Sequence, residues 1–313
     1  MHFQGVDLNL LVALDAMLEE RSVTRAANRL QLRQPAMSAA LQRLRYHFSD
    51  ALFERVGQRL ELTPRAKALV EPVRNLLIDI RATLDATVAF DPKSSNRGFR
   101  LAMSSFTAEL IMPQLSKALI REAPGLRCEI SYTNADMFHQ LRNGLIDCCI
   151  TIDDPVYFDY MRAYDEFLSQ SLLRDPFTLV AARDNPHVHE GMSYDELCAL
   201  PLVIVRVGEK IRSVVEHVLD QQTVKPTTPS VVPSYQLALR MISGSNMVLF
   251  ARRSAAMACS HDLNLRHLAS PLQLPLLEDS LIWHMRTDSD AGHMWLRQLI
   301  RNTVHGLAEY RMP

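Results

Sequence analysis

The first third of the chain alternates apolar and polar residues with helical periodicity. A helix is predicted over residues 8–20, capped by Asp7, because five large apolar side chains share one face: Leu10, Leu11, Leu14, Met17 and Leu18. Ser22 is placed to cap a second, short helix that ends near Leu30. A third helix is predicted from Gln34 to about His47. Pro35 is tolerated in its first turn, because backbone N–H groups there have no acceptor within the helix and the missing one costs nothing. The pattern therefore indicates a longer helix followed by two helices joined by a tight turn.

The third helix has one apolar face and one face rich in hydrogen-bonding groups. Met37, Ala40, Leu41 and Leu44 recur at helical spacing and are expected in the core. The opposite face carries amide, hydroxyl and guanidinium groups, which bind base edges and phosphates: Gln34, Ser38, Gln42, Arg43 and Arg45. This composition is typical of a helix that reads DNA.

A basic segment surrounds the helix pair. Residues 51–66, ALFERVGQRLELTPRA, predict two short strands around Gly57, a wing of the kind that reaches a phosphate backbone. Ten basic and three acidic residues lie between Arg21 and Lys67, a net charge of +7 in a chain whose total is −1. Since neutralised phosphates release counterions, such a segment favours DNA binding.

Two interpretations of this segment are open from periodicity alone. Helix pairs of this length also occur in all-helical cores, where a basic face is only a solvated one. Helix order, the position of Pro35, the exposed Gln and Arg side chains, the wing and the local charge together favour DNA binding.

Residues 7–67 resemble the winged helix-turn-helix of LysR-type transcriptional regulators. The resemblance is carried by DLNLL, RSVTRAANRL, QPAMSAALQRLR, LFERVG and LTPRA. The opening GVDLNLLVALDAMLEERSVTRAA, a later WH and the C-terminal DAGHMWLRQL are similar to the branch with nodulation regulators and salicylate- or nitroaromatic-responsive regulators. The resemblance implies contacts with double-stranded DNA from Arg25, Arg29, Arg33, Gln34, Pro35, Ser38, Gln42, Arg43, Arg45 and Arg55.

Arg33 departs from the family pattern, in which many relatives have Ser or Thr before the Gln-Pro pair. A lost cap costs about 1 kcal/mol, and a cation near a helix N-terminus is mildly unfavourable. A guanidinium beside a DNA phosphate gains a charge-assisted hydrogen bond. We interpret Arg33 as a phosphate contact, with a merely solvated side chain as the alternative.

A long helix is predicted after Thr63, which acts as its cap ahead of Pro64, and extends to about Ala89. Its apolar stripe consists of Leu69, Val73, Leu76, Leu77, Ile80 and Leu84. The stripe can pack against its own domain or against a partner helix. The resemblance implies the second, a homodimer through this linker helix that assembles further into a homotetramer. It also implies RNA polymerase as a partner.

Beyond a polar hinge, residues 91–98, strand and helix patterns alternate, which predicts an α/β domain with a parallel sheet. The resemblance implies a two-subdomain effector domain, like a periplasmic binding protein, that the chain crosses twice, near residues 170 and 273. We therefore expect a winged helix-turn-helix at 1–63, a linker helix at 64–90, the hinge at 91–98, and an effector domain at 99–313. Its subdomain I would hold 99–170 and 273–313, and subdomain II 171–272.

Ligands of such sheets bind at the carboxyl ends of strands. The strand-end candidates are Ser104, Ser105 and Phe106, Thr133 and Asn134, Thr151 and Asp153, Arg174 and Arg206, with Phe177, Tyr235 and Trp283 as aromatic walls. Hydroxyls and N–H groups after Ser104 could receive an anionic oxygen, and Arg206 could pair with a phenolate or carboxylate. Each residue taken singly can also be a cap, a core residue or a solvated charge. A small aromatic effector is implied by the resemblance.

Other classes of protein are less well supported. No apolar run approaches the ~20 residues that span a membrane, so a cytoplasmic protein without membrane contact is expected. Five cysteines without a C-x-x-C pair argue against a disulfide scaffold or zinc site. His187 and His189 lack metal-binding spacing, and no catalytic motif or cofactor motif is present. We predict no catalytic residue, metal or cofactor. Thiol oxidation at Cys148 or Cys149 is the alternative trigger, although both lie in an apolar run that disfavours thiolates.

Overall fold

The computed structural model describes residues 2–3, 6–56, 59–85, 90–152, 165–206, 212–259 and 262–309. They divide into two compact units, residues 1–88 and 89–313. After a two-stranded pairing of β1 (His2–Phe3) with β2 (Val6–Asp7), the first unit contains α1 (Asn9–Glu20), α2 (Val23–Arg29) and α3 (Gln34–Phe48). The Asp7 carboxylate accepts a hydrogen bond from the Asn9 backbone N–H at 3.0 Å, so it caps α1 as expected. Ser22 caps α2 by accepting from the Arg25 N–H.

The wing and the long helix complete the first unit. Strands β3 (Phe53–Val56) and β4 (Arg59–Leu62) pair antiparallel, and the predicted turn residue Gly57 lies outside the described residues. Helix α4 covers Pro64–Asp85, and the predicted continuation to Ala89 is likewise outside the described part of the chain. Buried Val73 and half-buried Leu69 and Leu77 pack into the core formed by α1, α2 and α3, whereas Leu76 is 44 % exposed. Part of the stripe therefore packs against its own domain, and Leu76 remains available to a partner.

The second unit contains two five-stranded sheets. The first is built from β5 (Gly98–Met103), β6 (Arg127–Tyr132), β7 (Cys148–Ile152), β8 (Phe167–Asp175) and β14 (Leu277–His284), in the order β6-β5-β7-β14-β8. Helices α5 (Ser105–Glu122) and α6 (Met137–Arg142) connect its first three strands, and α11 (Ala291–Glu309) follows β14. Phe99, Leu101, Ile111, Leu115 and Ile300 form part of the core between this sheet and its helices.

The second sheet has the order β11-β10-β12-β9-β13. Its strands are β9 (Phe177–Ala182), β10 (Leu202–Val205), β11 (Ser230–Val232), β12 (Val248–Arg252) and β13 (Leu265–Leu268). The helices between them are α7 (Tyr194–Cys198), α8 (Val214–Asp220), α9 (Tyr235–Ile242) and α10 (Arg253–Cys259). Nearly every residue of β9, β10 and β12 is buried, as expected for strands covered on both faces.

The chain crosses between the sheets twice, and two details correct the predictions. The first sheet keeps β8 as far as Asp175, so the first crossing is at Pro176 rather than near residue 170. The return lies between β13 and β14, around the expected residue 273. Each sheet is mixed rather than parallel, because β14 runs antiparallel to β7 and β8, and β9 antiparallel to β12 and β13. The two reversed strands, β9 and β14, are those by which the chain enters each sheet from the other subdomain.

The predicted fold class is confirmed: a winged helix-turn-helix with a long helix, and an α/β domain of two subdomains. No helix in the described ranges is long and apolar enough to cross a membrane.

Candidate nucleic-acid interface and ligand cleft

Helix α3 presents the predicted polar face to solvent. Met37, Leu41 and Leu44 are buried against α1 and α2, which fixes the rotation of the helix about its axis. The opposite face is exposed over Gln34, Pro35, Ser38, Gln42 and Arg43. Exposed amide and guanidinium groups on one helix face, without competing contacts in the core, can donate and accept hydrogen bonds along a DNA groove.

Three of the predicted DNA-contacting arginines already have partners within the first unit. Arg25 Nε lies 3.2 Å from Glu20 Oε2, and Arg29 Nη1 lies 2.8 Å from Glu19 Oε2. Arg45 Nε donates to the Ala51 carbonyl at 2.7 Å, which ties the end of α3 to the start of the wing. Arg45 is therefore a positioning residue for the wing. Arg55 is exposed on β3, where its side chain can reach a phosphate.

Arg33 occupies the capping position of α3 without capping it. Its backbone is extended, with φ −75° and ψ 141°, and its side chain forms no hydrogen bond to the first turn. Arg33 and Arg43 are exposed and form no ion pair with the residues that the structure describes. The two guanidinium groups are thus available to an external anion on the face that carries Gln34.

A cleft opens where the two crossings separate the sheets of the second unit. Its volume is about 100 Å³, close to the roughly 150 Å³ apolar cavity that holds one benzene ring. The lining residues come from both subdomains: Ser104, Phe106, Thr133, Thr151, Ile152, Phe177, Val205, Arg212, Ser213, Val214, Val215, Tyr235, Arg252, Leu277 and Asp279. The predicted candidates Ser104, Phe106, Thr133, Thr151, Phe177 and Tyr235 are thereby brought together.

Helix starts place the polar and aromatic residues of this cleft. Ser104 caps α5, and its Oγ accepts from the Thr107 N–H at 3.0 Å. Ser213 caps α8 in a capping box with Glu216, and Ser234 caps α9, whose first residue is Tyr235. The rings of Phe106 and Tyr235 meet edge to face with centroids 5.9 Å apart, a favoured aromatic geometry. The cleft therefore has an aromatic wall of two rings set edge to face beside capped helix ends.

A buried ionic triad forms the floor of the cleft. Arg252, at the end of β12, donates from Nη2 to Asp279 Oδ2 at 2.7 Å, and its Nε lies 3.7 Å from Asp175 Oδ2. All three side chains are no more than 5 % exposed. The guanidinium also lies over the Phe106 ring, 5.1 Å from its centroid. One residue of the second sheet thus holds two residues of the first, beside both crossings.

The environment of the floor disfavours charge. Burial raises the pKa of Asp279, against the opposing effect of Arg252. Burial also raises the pKa of Tyr235 to about 12. Both shifts have the same physical cause, since a low-dielectric surrounding penalises the ionised form.

The structure places five of the predicted effector-binding residues outside the lining of this cleft, and their contact with a ligand stays a prediction. Arg174 pairs with Glu278 at 2.6 Å on the exposed side of the first sheet, and Arg206 pairs with Glu216. Asn134 stabilises the turn before α6 through the Asp136 N–H. Trp283 lies under Arg297 in the core, with Nε1 donating to Asp288. Ser105 is buried in the first turn of α5, because successive residues there point in different directions. Asp153 lies outside the described residues.

Sequence reasoning missed three residues that line the cleft: the charged residues Arg252 and Asp279 and the helix cap Ser213. Arg252 directly follows the apolar run MVLFA, so the strand-end argument extended to that strand would have indicated it. Ser213 and Glu216 match the S-x-x-E capping signature. Asp279 carried no signal, because β14 was not predicted as a strand.

The adjacent cysteines lie in the core of the first sheet. Cys148 and Cys149 are both buried and contribute to two different core clusters on opposite faces of β7, as the alternation of a strand requires. Burial raises the pKa of the Cys148 thiol well above its ordinary value and that of Cys128 to about 11. The thiols of Cys148 and Cys128 are therefore held in the protonated, poorly nucleophilic form.

His189, of the HVHE segment, pairs with Glu196 at 3.2 Å.

Two family models match the chain, and together they cover most of it. Residues 8–67 match the bacterial regulatory helix-turn-helix protein of the lysR family, and residues 93–304 match the LysR substrate binding domain. The helix pair and wing lie within the first match, and all residues that line the cleft lie within the second. The two candidate sites thus coincide with the two matched domains.

Whole-chain relatives have the same organisation. Nodulation protein D 1 of Rhizobium tropici is 34 % identical over 309 residues, with 98 % of each chain covered. A solved structure described as a "probable transcriptional regulator" from Pseudomonas aeruginosa has a TM-score of 0.69 and 26 % identity, covering 96 % of this chain and 97 % of its own. Full-length CbnR bound to its target DNA shares the fold, with a TM-score of 0.58, 17 % identity, and 95 % and 100 % coverage. The chain therefore belongs to the LysR family of transcriptional regulators, which bind DNA and are not enzymes.

Proposed function

We propose that this regulator binds a pseudo-palindromic promoter site as a homo-oligomer and changes transcription when a small aromatic effector occupies the cleft of its second unit. The observation that carries the effector proposal is the cleft itself, which joins an aromatic wall of Phe106 and Tyr235 to a few polar groups. A concave, largely apolar site with few polar groups is the usual form of a small-molecule pocket. Its volume of about 100 Å³ suits a single aromatic ring.

The cleft is well placed to act on the rest of the effector domain. Residues from both sheets line it, and both crossings border it. A ligand that prefers one relative placement of the two subdomains shifts the population toward that placement. The ligand can act only through this differential affinity, so binding and response are linked through the residues of the cleft.

The exposed face of α3 supports base reading by Gln34 and phosphate binding by Arg33, Arg43 and Arg55. A single helix of this kind contacts few base pairs. Dimers of winged helices bind two half-sites, which multiplies the contacts and sets the spacing of the operator. The exposed Leu76 on α4 supports a homodimer through that helix, and a homotetramer is the larger assembly we propose.

A ligand panel tests the effector proposal directly. Phenols, salicylates and flavonoids are each added to the full chain in a thermal-shift assay, and every compound that raises the melting temperature is then tested for its effect on promoter binding. We expect at least one single-ring compound to raise the melting temperature and to change promoter affinity. A panel without any stabilising compound would contradict the small aromatic effector.

Gln34→Ala is expected to weaken binding to the specific promoter site by about 1–3 kcal/mol, because an amide that reads a base edge is lost. Affinity for random DNA of equal length should stay unchanged, since that affinity comes from phosphate contacts. Both affinities are measured by fluorescence anisotropy at one salt concentration. An equal loss on the two DNAs would exclude base reading by Gln34.

Arg33→Ser is expected to have two opposite effects. A serine at this position can cap α3. The free energy that protects the amides of the first turn of α3 from exchange should therefore rise by about 0.5–2 kcal/mol. The loss of one phosphate contact should lower the slope of DNA affinity against salt concentration by about one. Hydrogen exchange and a salt titration measure the two effects. An unchanged salt slope would assign Arg33 to solvent rather than to a phosphate.

A further inference from the structure

The charges of the cleft select among aromatic ligands, and this inference rests on the proposed effector function. Among the residues that the structure describes, three charged side chains line the cleft: Arg212, Arg252 and Asp279. Arg212 lies 2.5 Å from Asp220, and Arg252 lies between Asp175 and Asp279. Arg252 therefore has two carboxylate partners, whereas Arg212, at the half-exposed side of the cleft, shares the Asp220 carboxylate with Lys225.

The buried triad, in the described part of the chain, carries no excess positive charge for a ligand. One guanidinium and two carboxylates give the triad a net charge of −1, and protonation of one carboxyl would bring it only to zero. Because the triad is almost fully buried, water screens its charge weakly. A carboxylate placed beside Asp279 would lose its hydration and gain no cation in return, which is the costly way to bury a charge.

The helix ends at the cleft act in the opposite direction but more weakly. The N-terminus of α5 carries the equivalent of about half a positive charge, and the Ser104 hydroxyl already accepts the Thr107 N–H within that first turn. Asp279 carries a full charge when ionised. The helix end can therefore receive a neutral carbonyl or hydroxyl oxygen, whereas it does not compensate a second carboxylate near the floor.

The surrounding of Tyr235 also disfavours a charged group inside the cleft. Its phenol belongs to the lining, and its pKa is raised to about 12, mainly by burial. The surrounding of this phenol therefore disfavours its ionised form, in the place where an aromatic ligand would lie. A ligand phenol beside it meets the same surrounding.

We propose that the effector is a neutral aromatic molecule that donates a hydrogen bond to Asp279, and that the cleft discriminates against the corresponding carboxylate. Thr151 and Thr133 offer further hydroxyl groups along the wall, which neutral polar substituents can use. The specificity-determining residue is Asp279, and Arg252 holds its carboxylate in place from the adjacent subdomain.

A pair of probes with the same shape and different charge tests this proposal. Affinities of the full chain for 4-hydroxybenzamide and 4-hydroxybenzoate are measured at neutral pH by isothermal titration calorimetry or ligand-observed NMR. We expect the amide to bind at least about tenfold more tightly. In Asp279→Asn, where the triad loses its excess negative charge, the ratio should fall to within about threefold.

The control variant is Glu278→Gln, which removes the neighbouring negative charge on β14 outside the cleft and should leave the ratio unchanged. If Asp279→Asn does not fold, the ratio of the affinities for the amide and the carboxylate, measured on the unaltered chain, decides whether this inference holds. A carboxylate that binds as tightly as the amide overturns this inference and leaves the aromatic effector standing. If neither probe binds, this inference fails, and the ligand panel decides the effector proposal separately.

Discussion

Replacing Arg252 with methionine is expected to lower the free energy of unfolding of the second unit by about 3–5 kcal/mol, the usual cost of removing one member of a buried ion pair. Methionine keeps much of the volume, so the loss comes from charge. Asp175 and Asp279 would remain almost fully buried without their guanidinium partner, and Asp175 would keep only the hydrogen bonds from Ser254. Because Arg252 belongs to one sheet and the two aspartates to the other, its ion pairs across the two subdomains are lost as well.

Urea denaturation followed by tryptophan fluorescence measures this effect. Both tryptophans of the chain, Trp283 and Trp295, lie in the second unit, so the signal reports on that unit alone. The control is Arg174→Met, which breaks the exposed pair with Glu278 and should cost no more than about 1 kcal/mol. A loss below that of the control would mean that the triad contributes little to stability.

The effect of Arg252→Met should also depend on pH with a defined sign. Without the guanidinium, the folded-state pKa of Asp279, which burial already raises, is raised further above its unfolded value. A group with a raised folded pKa favours folding only while it is protonated, so the deficit of the variant is largest at neutral pH. It should shrink as the pH falls toward the unfolded value of about 3.9. A deficit that does not change with pH would indicate lost packing rather than buried charge.

Replacing Leu76 with glutamate is expected to convert the proposed homodimer into monomers and to weaken promoter binding by at least about a hundredfold, or about 2.7 kcal/mol. Leu76 is 44 % exposed in the single chain, whereas Val73 on the same helix is buried. The substitution therefore spares the fold of the first unit and places a charge where the partner helix would pack. Monomers hold only one recognition helix, so half of the contacts are lost.

Sedimentation velocity and anisotropy with the promoter site measure mass and affinity together. Leu76→Met should keep both, because methionine preserves apolar volume. Ala68→Glu adds the same charge at an exposed position of α4 outside the stripe, and it should leave the mass unchanged. A dimer that persists in Leu76→Glu would place the interface elsewhere on the chain.

Much of the DNA-binding unit was predictable from the sequence. Helices α1, α2 and α3 depend on local signals, such as the cap at Ser22, Pro35 in a first turn and apolar residues at helical spacing, and each signal lies within a few residues of its effect. The exposed face of α3 follows from the same spacing. The pairing of Arg25 and Arg29 with Glu20 and Glu19 was not predicted, because it depends on how α1 and α2 pack.

The effector cleft was predictable only in part. Ser104, Phe106, Thr133 and Thr151 follow strands that the hydrophobic pattern identifies, so the rule for parallel strands placed them at one edge. Arg206 follows such a strand as well, yet its side chain pairs with Glu216 of α8. A strand-end position therefore predicts the region in which a side chain lies, but it does not predict the residue with which that side chain pairs.

The amino-acid sequence by itself determined the helix-turn-helix, the alternation of strands and helices, and the family, because these depend on local periodicity and on motifs that are contiguous along the chain. Only the tertiary structure decided where the chain crosses between the sheets and how the strands pair at the crossings. It also decided the charge of the cleft, since Asp175, Arg252 and Asp279 lie far apart in sequence and meet only where the two sheets join. Burial is a property of the assembled fold, and burial is why we expect those three charges to matter for stability and for the choice of ligand.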